Sequence, residues 1–323
     1  MRVLVTGAAG FIGAHACRAL LARGDAVAGI DSFSDYYDPR LKHDRVAALC
    51  PGLELVAADV NDEAALEALF ARVRPEAVLH LAAQAGVRYS LEQPQAYARA
   101  NVAGSIAVFE ACRRHRVRHV VYASSSSVYG GGAKPPFSED QRTDRPLSVY
   151  AATKVATETL AHGYAHLYRI PFTGLRFFTV YGPWGRPDMA PVLFARAALA
   201  GRAVRVFNHG RMRRDFTHVD DIVAGVLGAL GAPLPADAAE APHRVFNLGN
   251  HAPVELEHFL GVIQRAAGRR IERIDEPLQP GDMVETMADT RAAEAAFGFR
   301  PTVRIEDGLP PVVAWCRDYF GSD

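Results

Sequence analysis

The feature that most limits what this chain can become is a glycine turn. Gly7-Ala8-Ala9-Gly10-Phe11-Ile12-Gly13 follows an apolar run at residues 3–5 and opens a stretch of helical periodicity at 11–23. A strand that turns this sharply into a helix presents backbone N–H groups to an anion. Glycines let a pyrophosphate approach because no Cβ stands in the way. The spacing is G-x-x-G-x-x-G, which strand-to-helix turns also favour for conformational reasons alone. The flanking strand and helix point it to a dinucleotide. Gly7, Gly10, Phe11, Ile12 and Gly13 are therefore candidate cofactor contacts. Asp31 closes the next apolar run, at 26–30, near the separation at which an acid bonds an adenosine ribose. A carboxylate there repels a 2′-phosphate and so favours NAD over NADP. Taken alone, Asp31 reads equally well as a turn or cap residue.

Further apolar runs stand at 53–57, 77–81 and 119–123, with an acidic helix start at Asp62 and one long helix expected between the last two. Short apolar runs separated by helices predict a parallel sheet covered on both faces, the doubly wound α/β class. Asp59 and Val60 follow the third run; Leu81, Ala82, Ala83 and Gln84 follow the fourth. All six lie at the carboxyl edge of the sheet and are candidate cofactor contacts. Beyond about residue 176 Pro and Gly become frequent. Shorter strands at 204–207 and 245–248 then alternate with helices at 219–230 and 256–267, and 231–242 reads as an exposed loop. The expected organisation is a Rossmann-type NAD-binding domain over 1–178 and a smaller mixed α/β C-terminal substrate domain over 179–323. Some segments of the second are expected to return to the first.

Composition narrows the function classes. The 36 basic and 36 acidic side chains give zero formal charge, so no global field draws the chain to nucleic acid or anionic lipid. No apolar run approaches the ~20 residues needed to span a bilayer. The start, Met1-Arg2-Val3-Leu4-Val5, reaches Gly7 too soon for a signal peptide. Cys17, Cys50, Cys112 and Cys316 have neither C-x-x-C nor zinc spacing. They read as reduced thiols of a cytoplasmic protein, with no metal site expected.

Tyr150 and Lys154 start a helical stretch four residues apart, on one face. A tyrosine of ordinary pKa, about 10, is too weak a base at neutral pH. A neighbouring ammonium and a positive nicotinamide ring would both favour the phenolate. A Y-x-x-x-K match alone arises often by chance. The run Ser124-Ser125-Ser126-Ser127 directly after the fifth strand shifts the balance, because hydroxyls there face the ligand crevice.

These features resemble the extended short-chain dehydrogenase/reductase family of nucleotide-sugar enzymes over nearly the whole chain. The supporting segments are AQAGVRYS at 83–90, SSSSVYG at 124–130, GLRFFTVYGPWGRPDM at 174–189, RRDFT at 213–217 and PLQPGD at 277–282. Within the family the likeness is to the branch that inverts carbon 4 of UDP-uronic acids. The resemblance implies bound NAD and interconversion of UDP-glucuronate and UDP-galacturonate through a transient 4-keto sugar. It implies that Tyr150 takes the 4′-hydroxyl proton, Lys154 holds the phenolate and contacts the nicotinamide ribose, and Ser125, with Ser126, orients the hydroxyl. A 4-keto uronate is a β-keto acid and can lose carbon dioxide, so the carboxylate must be held. Ser126, Ser127, Thr179 and Arg186 are candidates for that hold, with Arg88 a further one. Arg214 would meet the pyrophosphate and Asp282 the uridine ribose. Gln279 stands where many members have Arg. Related dehydratases carry Asp-Glu, and decarboxylases Glu, where this chain has Ser126-Ser127. A UDP-glucose/galactose 4-epimerase, a UDP-glucuronate decarboxylase and a nucleotide sensor without chemistry remain as alternatives. Helices around 94–115 and 150–168 resemble those that pair in family homodimers.

Overall fold

The computed structural model describes residues 1–279 and 283–321. The first half runs β1 (Arg2–Thr6), α1 (Phe11–Ala22), β2 (Ala26–Asp31), α2 (Arg40–Leu49), β3 (Glu54–Ala57), α3 (Glu63–Val73) and β4 (Ala77–His80). It continues with α4 (Tyr89–Glu92), α5 (Pro94–Tyr97), a π-helical turn at Ala98–Ala103, α6 (Gly104–Arg114), β5 (His119–Ser125), α7 (Val149–Tyr168) and β6 (Phe172–Phe177). Then come β7 (Thr179–Tyr181), α8 (Ala190–Ala200), β8 (Val204–Phe207), β9 (Arg213–Arg214), β10 (Phe216–His218), α9 (Val219–Leu230) and β11 (His243–Leu248). The last elements are β12 (Val254–Glu255), α10 (Leu256–Ala267), β13 (Arg273–Glu276), α11 (Arg291–Phe297) and α12 (Ile305–Phe320).

Seven strands form one parallel sheet in the order β11-β6-β5-β4-β1-β2-β3. Both faces are buried, and β1 shows why its sequence is continuously apolar. Val3 and Val5 pack with α1 and α9 on one face, whereas Leu4 packs with α3, α6 and α7 on the other. This is the doubly wound Rossmann-type arrangement. The strand order reverses between β1 and β4, which opens a crevice at their carboxyl ends.

A second core gathers α8, α10 and α12 around Val204, Val206 and Phe216. It builds a smaller lobe with three two-stranded pairings, β7–β10, β9–β12 and β8–β13. The chain after 179 is shared between the lobes: α9 packs on α1, and β11 forms the edge of the main sheet beside β6.

One expectation is corrected. Residues between β4 and β5 do not form one long helix. Gln93 stands at φ −128° ahead of Pro94, whose ring disfavours helical backbone in the preceding residue. The chain then makes the π turn before α6, and Asn101 sits inside that turn.

Candidate active site

The glycine turn lies flat against the segment that leaves β4. Gly7 has φ +69°, and a Cβ there would stand 2.7 Å from the Ala82 backbone nitrogen. A Cβ on Gly13 would stand 2.0 Å from the Gly7 carbonyl oxygen. Gly10 caps α1 and offers no side chain to its first-turn N–H groups. Those of Phe11 and Ile12 are thus placed to meet an anion. Asp31 ends β2 buried, where its carboxylate accepts from Ala9 N–H at 3.1 Å and Phe33 N–H at 2.8 Å. Lys42 Nζ lies 3.5 Å from the same carboxylate. The acid therefore ties the glycine turn to the end of β2, and its oxygens keep further lone pairs for a ribose. These features fit a dinucleotide lying across the switch point.

The remaining cofactor candidates divide. Leu81, Ala82, Ala83 and Gln84 run irregular and half-buried along the crevice. Ala82 N–H donates to Thr6 Oγ1, and Gln84 N–H donates to Asn101 Oδ1 at 2.7 Å. Asp59 accepts from the backbone and side chain of Asn61. The Val60 side chain is buried in the core cluster that holds Leu66 and Val108, which leaves its backbone for a ligand.

Helix α7 begins at Ser148, whose hydroxyl accepts from Ala151 N–H at 3.1 Å and fixes the first turn. Tyr150, Lys154 and Glu158 follow at four-residue intervals on one face. Lys154 is buried and donates to the Ala123 carbonyl on β5 at 2.9 Å. Burial pulls its pKa down to about 8, and the charge of Glu158 opposes that fall. Tyr150 is partly exposed. Burial raises its pKa, while a hydrogen bond with Ser125 and the charge of Arg186 lower it. Arg186 is the cation that lowers the Tyr150 pKa, and the Lys154 ammonium faces the Ala123 carbonyl.

The serine run splits at the strand end. Ser124 is buried and donates to Glu158 at 2.5 Å. Glu158 in turn holds Arg176 in a two-point ion pair, both contacts at 2.8 Å. Ser125 points the other way, bonding Ser127 Oγ at 3.2 Å and the Tyr150 phenol. Ser126 and Ser127 follow in a short 3-10 turn, partly exposed. So Ser125, Ser126 and Ser127 border the crevice, and Ser124 belongs to the core.

Arg186 comes to the same place from the turn after β7. Its Nε and Nη2 meet the Asp188 carboxylate at 3.0 and 2.5 Å, and Nη2 also donates to the Ala85 carbonyl at 3.2 Å. Tyr36 O–H donates to Asp188 at 2.9 Å. Burial pushes the Asp188 carboxyl up, but Arg186 and the Tyr36 hydroxyl bring it below the usual range. Thr179 opens β7, half-buried, opposite Phe216. Arg88 is exposed, with its guanidinium 4.1 Å from the centre of the Phe207 ring. Arg214 is half-buried and paired with Val254 across β9 and β12. Asp282 lies outside the described residues. Among the described residues no group of three His, Cys, Asp or Glu side chains could hold a metal ion, and no helix is long and apolar enough to cross a membrane.

The crevice at the switch point, a Tyr–Ser pair and a fixed guanidinium thus converge at the carboxyl edge of β1, β4 and β5. A profile of the NAD dependent epimerase/dehydratase family matches residues 3–249.

The chain belongs to that family.

The epimerase/dehydratase family includes close relatives of this chain. UDP-glucuronate 4-epimerase 3 of Arabidopsis thaliana is 47% identical over 332 residues, spanning 99% of this chain and 77% of the relative. A probable UDP-glucuronate 4-epimerase of Rhizobium meliloti is 44% identical, spanning 98% and 96%. Among solved structures, UDP-glucuronic acid 4-epimerase from Bacillus cereus, in complex with UDP-glucuronic acid and NAD, superposes with a TM-score of 0.91. It shares 32% identity and covers 98% of this chain and 99% of that one.

Sequence reasoning missed several residues of this family site. Asn101 bonds both backbone groups of Gln84 and the Thr153 hydroxyl. An asparagine inside a helical stretch, where it is a poor helix former, was the available signal. Arg45, fully buried, joins the Ala9 and Trp184 carbonyls at 2.7 and 2.9 Å. Nothing local distinguishes it from a solvated helix arginine. Asp188 and Tyr36 are discernible only once Arg186 is placed.

Proposed function

We propose that this chain is an NAD-dependent 4-epimerase that interconverts UDP-glucuronate and UDP-galacturonate. The observation that carries the reading is the guanidinium of Arg186 fixed beside the Tyr150–Ser125 pair, a cation for a carboxylate next to an alcohol-oxidising phenol. The names of the full-length relatives support the same substrate. Tyr150 accepts the 4′-hydroxyl proton and later returns it, with Ser125, assisted by Ser126, holding that hydroxyl towards the phenol. Gly7–Gly13 and Asp31 would hold NAD, which when bound would supply hydride exchange at carbon 4. Lys154 keeps a positive charge under the phenol's helix face. Ser126, Ser127, Thr179 and Arg186 hold the uronate carboxylate, Arg214 the pyrophosphate and Asp282 the uridine ribose. Hydroxyls rather than carboxyls at 126 and 127 leave no acid there for elimination of water.

The test is incubation of the purified chain with UDP-glucuronate, followed by NMR of the products. UDP-galacturonate is the expected product. Only UDP-pentose products, or no turnover, would sink the reading. Parallel rates with UDP-glucose decide between uronate and neutral sugar, and Arg186 favours the uronate.

The chain also reads as a cytoplasmic homodimer. Its four cysteines are free and buried, which suits a reducing compartment. Ile106 on α6 and Leu167 and Tyr168 on α7 expose apolar surface on the two helices expected to pair.

A further inference from the structure

The Arg186 fork is not simply near the site; it is held from behind. Two of its nitrogens face one carboxylate, and the Nη2 group also reaches a backbone carbonyl. Among the described residues Nη1 has no hydrogen-bond partner. Behind the fork, Asp188 is anchored by the Tyr36 hydroxyl, and the Tyr36 ring lies 5.7 Å from the Arg186 carbon at the centre of the guanidinium. The backbone of Gly86 completes the packing: at φ +120°, a Cβ there would come within 2.9 Å of the Tyr36 hydroxyl and 3.5 Å of Arg186 Nη2. Tyr97 donates to the Gly86 carbonyl at 2.6 Å and fixes that turn. The guanidinium plane is therefore set by three elements: the turn after β7, the segment after β4 and the segment after β2.

Orientation matters here for a chemical reason. In a 4-keto uronate the C5–C6 bond can break with C6 leaving as carbon dioxide. The electron pair flows to the 4-keto oxygen as an enolate, and water then supplies a proton at C5 to give a 4-keto pentose. The bond breaks readily only when it stands perpendicular to the carbonyl plane, aligned with the π system. With its Nε and Nη2 hydrogens committed to Asp188 and Ala85, the fixed guanidinium offers Nη1 to the sugar carboxylate from one direction and sets that angle, whereas a loose cation would bind it without setting it.

We infer that Asp188, braced by Tyr36, is a positioning residue that fixes the Arg186 fork and so decides whether the 4-keto uronate is epimerised or decarboxylated. The inference rests on the UDP-glucuronate reading above. Neither residue need touch the sugar, so the effect falls on the partition between products rather than on oxidation itself.

The test uses the full chain with UDP-glucuronate carrying a carbon-13 label at C6. NMR then reads labelled carbon dioxide and bicarbonate against labelled UDP-galacturonate. Asp188→Asn should raise the ratio of decarboxylation to epimerisation about tenfold, the effect of a ~1.4 kcal/mol change between competing barriers. Tyr36→Phe leaves the ion pair intact and should move the ratio in the same direction by less. Asp188→Glu should restore part of the wild-type ratio. Should Asp188→Asn fail to fold, as judged by its melting transition, Tyr36→Phe carries the test alone. Folded variants that turn over the uronate at the wild-type ratio would overturn the positioning role and leave the epimerase reading standing. No uronate turnover by the unsubstituted chain would overturn both.

Discussion

Lys154 shows how a single side chain can couple the core to the chemistry. Its ammonium is buried against the Ala123 carbonyl, and burial holds its pKa at about 8 against the opposing charge of Glu158. On the proposed role of Lys154 beside Tyr150 in the NAD-bound site, the catalysed rate should fall as pH rises past about 8, where its ammonium is lost. Glu158→Gln removes the supporting carboxylate and should move this limb to lower pH in a kcat profile; an unmoved limb would contradict the assignment. The stability effect has its own sign. An unfolded lysine binds its proton up to its ordinary 10.5, so between about 8 and 10.5 the unfolded chain holds more protons and this group adds stability as pH rises. Tyr150, Lys154 and the serines were legible in the sequence because their spacing on one helix and their place at a strand end are local facts. The Arg186–Asp188 pairing was not, since a two-residue separation in a turn does not say whether two side chains meet.

At the scale of elements, the sheet strands flanking the glycine turn could be read directly, because both of their faces are buried and their sequences stay apolar throughout. The place of β11 could not. A strand at 243–248 looks the same whether it joins a small lobe or the edge of the main sheet, and only its register with β6 decides. The break between β4 and β5 was also hidden, apart from Pro94. The π turn gains its meaning from what Asn101 reaches: the Gln84 backbone on one side and Thr153 of α7 on the other. It joins the cofactor edge to the helix that carries Tyr150. Asn101→Ala would leave the Gln84 N–H and carbonyl without their partner. The expected cost is about 1–3 kcal/mol in unfolding free energy, measured by denaturant titration, together with weaker retention of NAD. A variant as stable as the parent, with NAD equally retained, would show that the turn is ornamental.

For the molecule as a whole, α6 and α7 pack side by side on one face of the sheet. Exposed Ile106, Leu167 and Tyr168 make that face the expected contact between two copies. Multi-angle light scattering should give twice the 35.0 kDa chain mass, and Ile106→Glu should shift the population towards monomer. A chain that scatters as a monomer at every working concentration would reject the dimer. Helix α7 carries Tyr150 at its start, so a dimer contact along α7 would also stiffen the base of the site.

The sharing of the later chain between lobes has a consequence for traffic through the site. After β6 the backbone enters the smaller lobe, returns for α9 and β11, leaves again for β12 and α10, and comes back for α11. In a cleft laced in this way any hinge must bend at every crossing together, which favours ligand exchange through movements of the rim segments. Such a cleft suits a catalyst whose redox partner is a permanent tenant, lent to each sugar and handed back before the sugar departs.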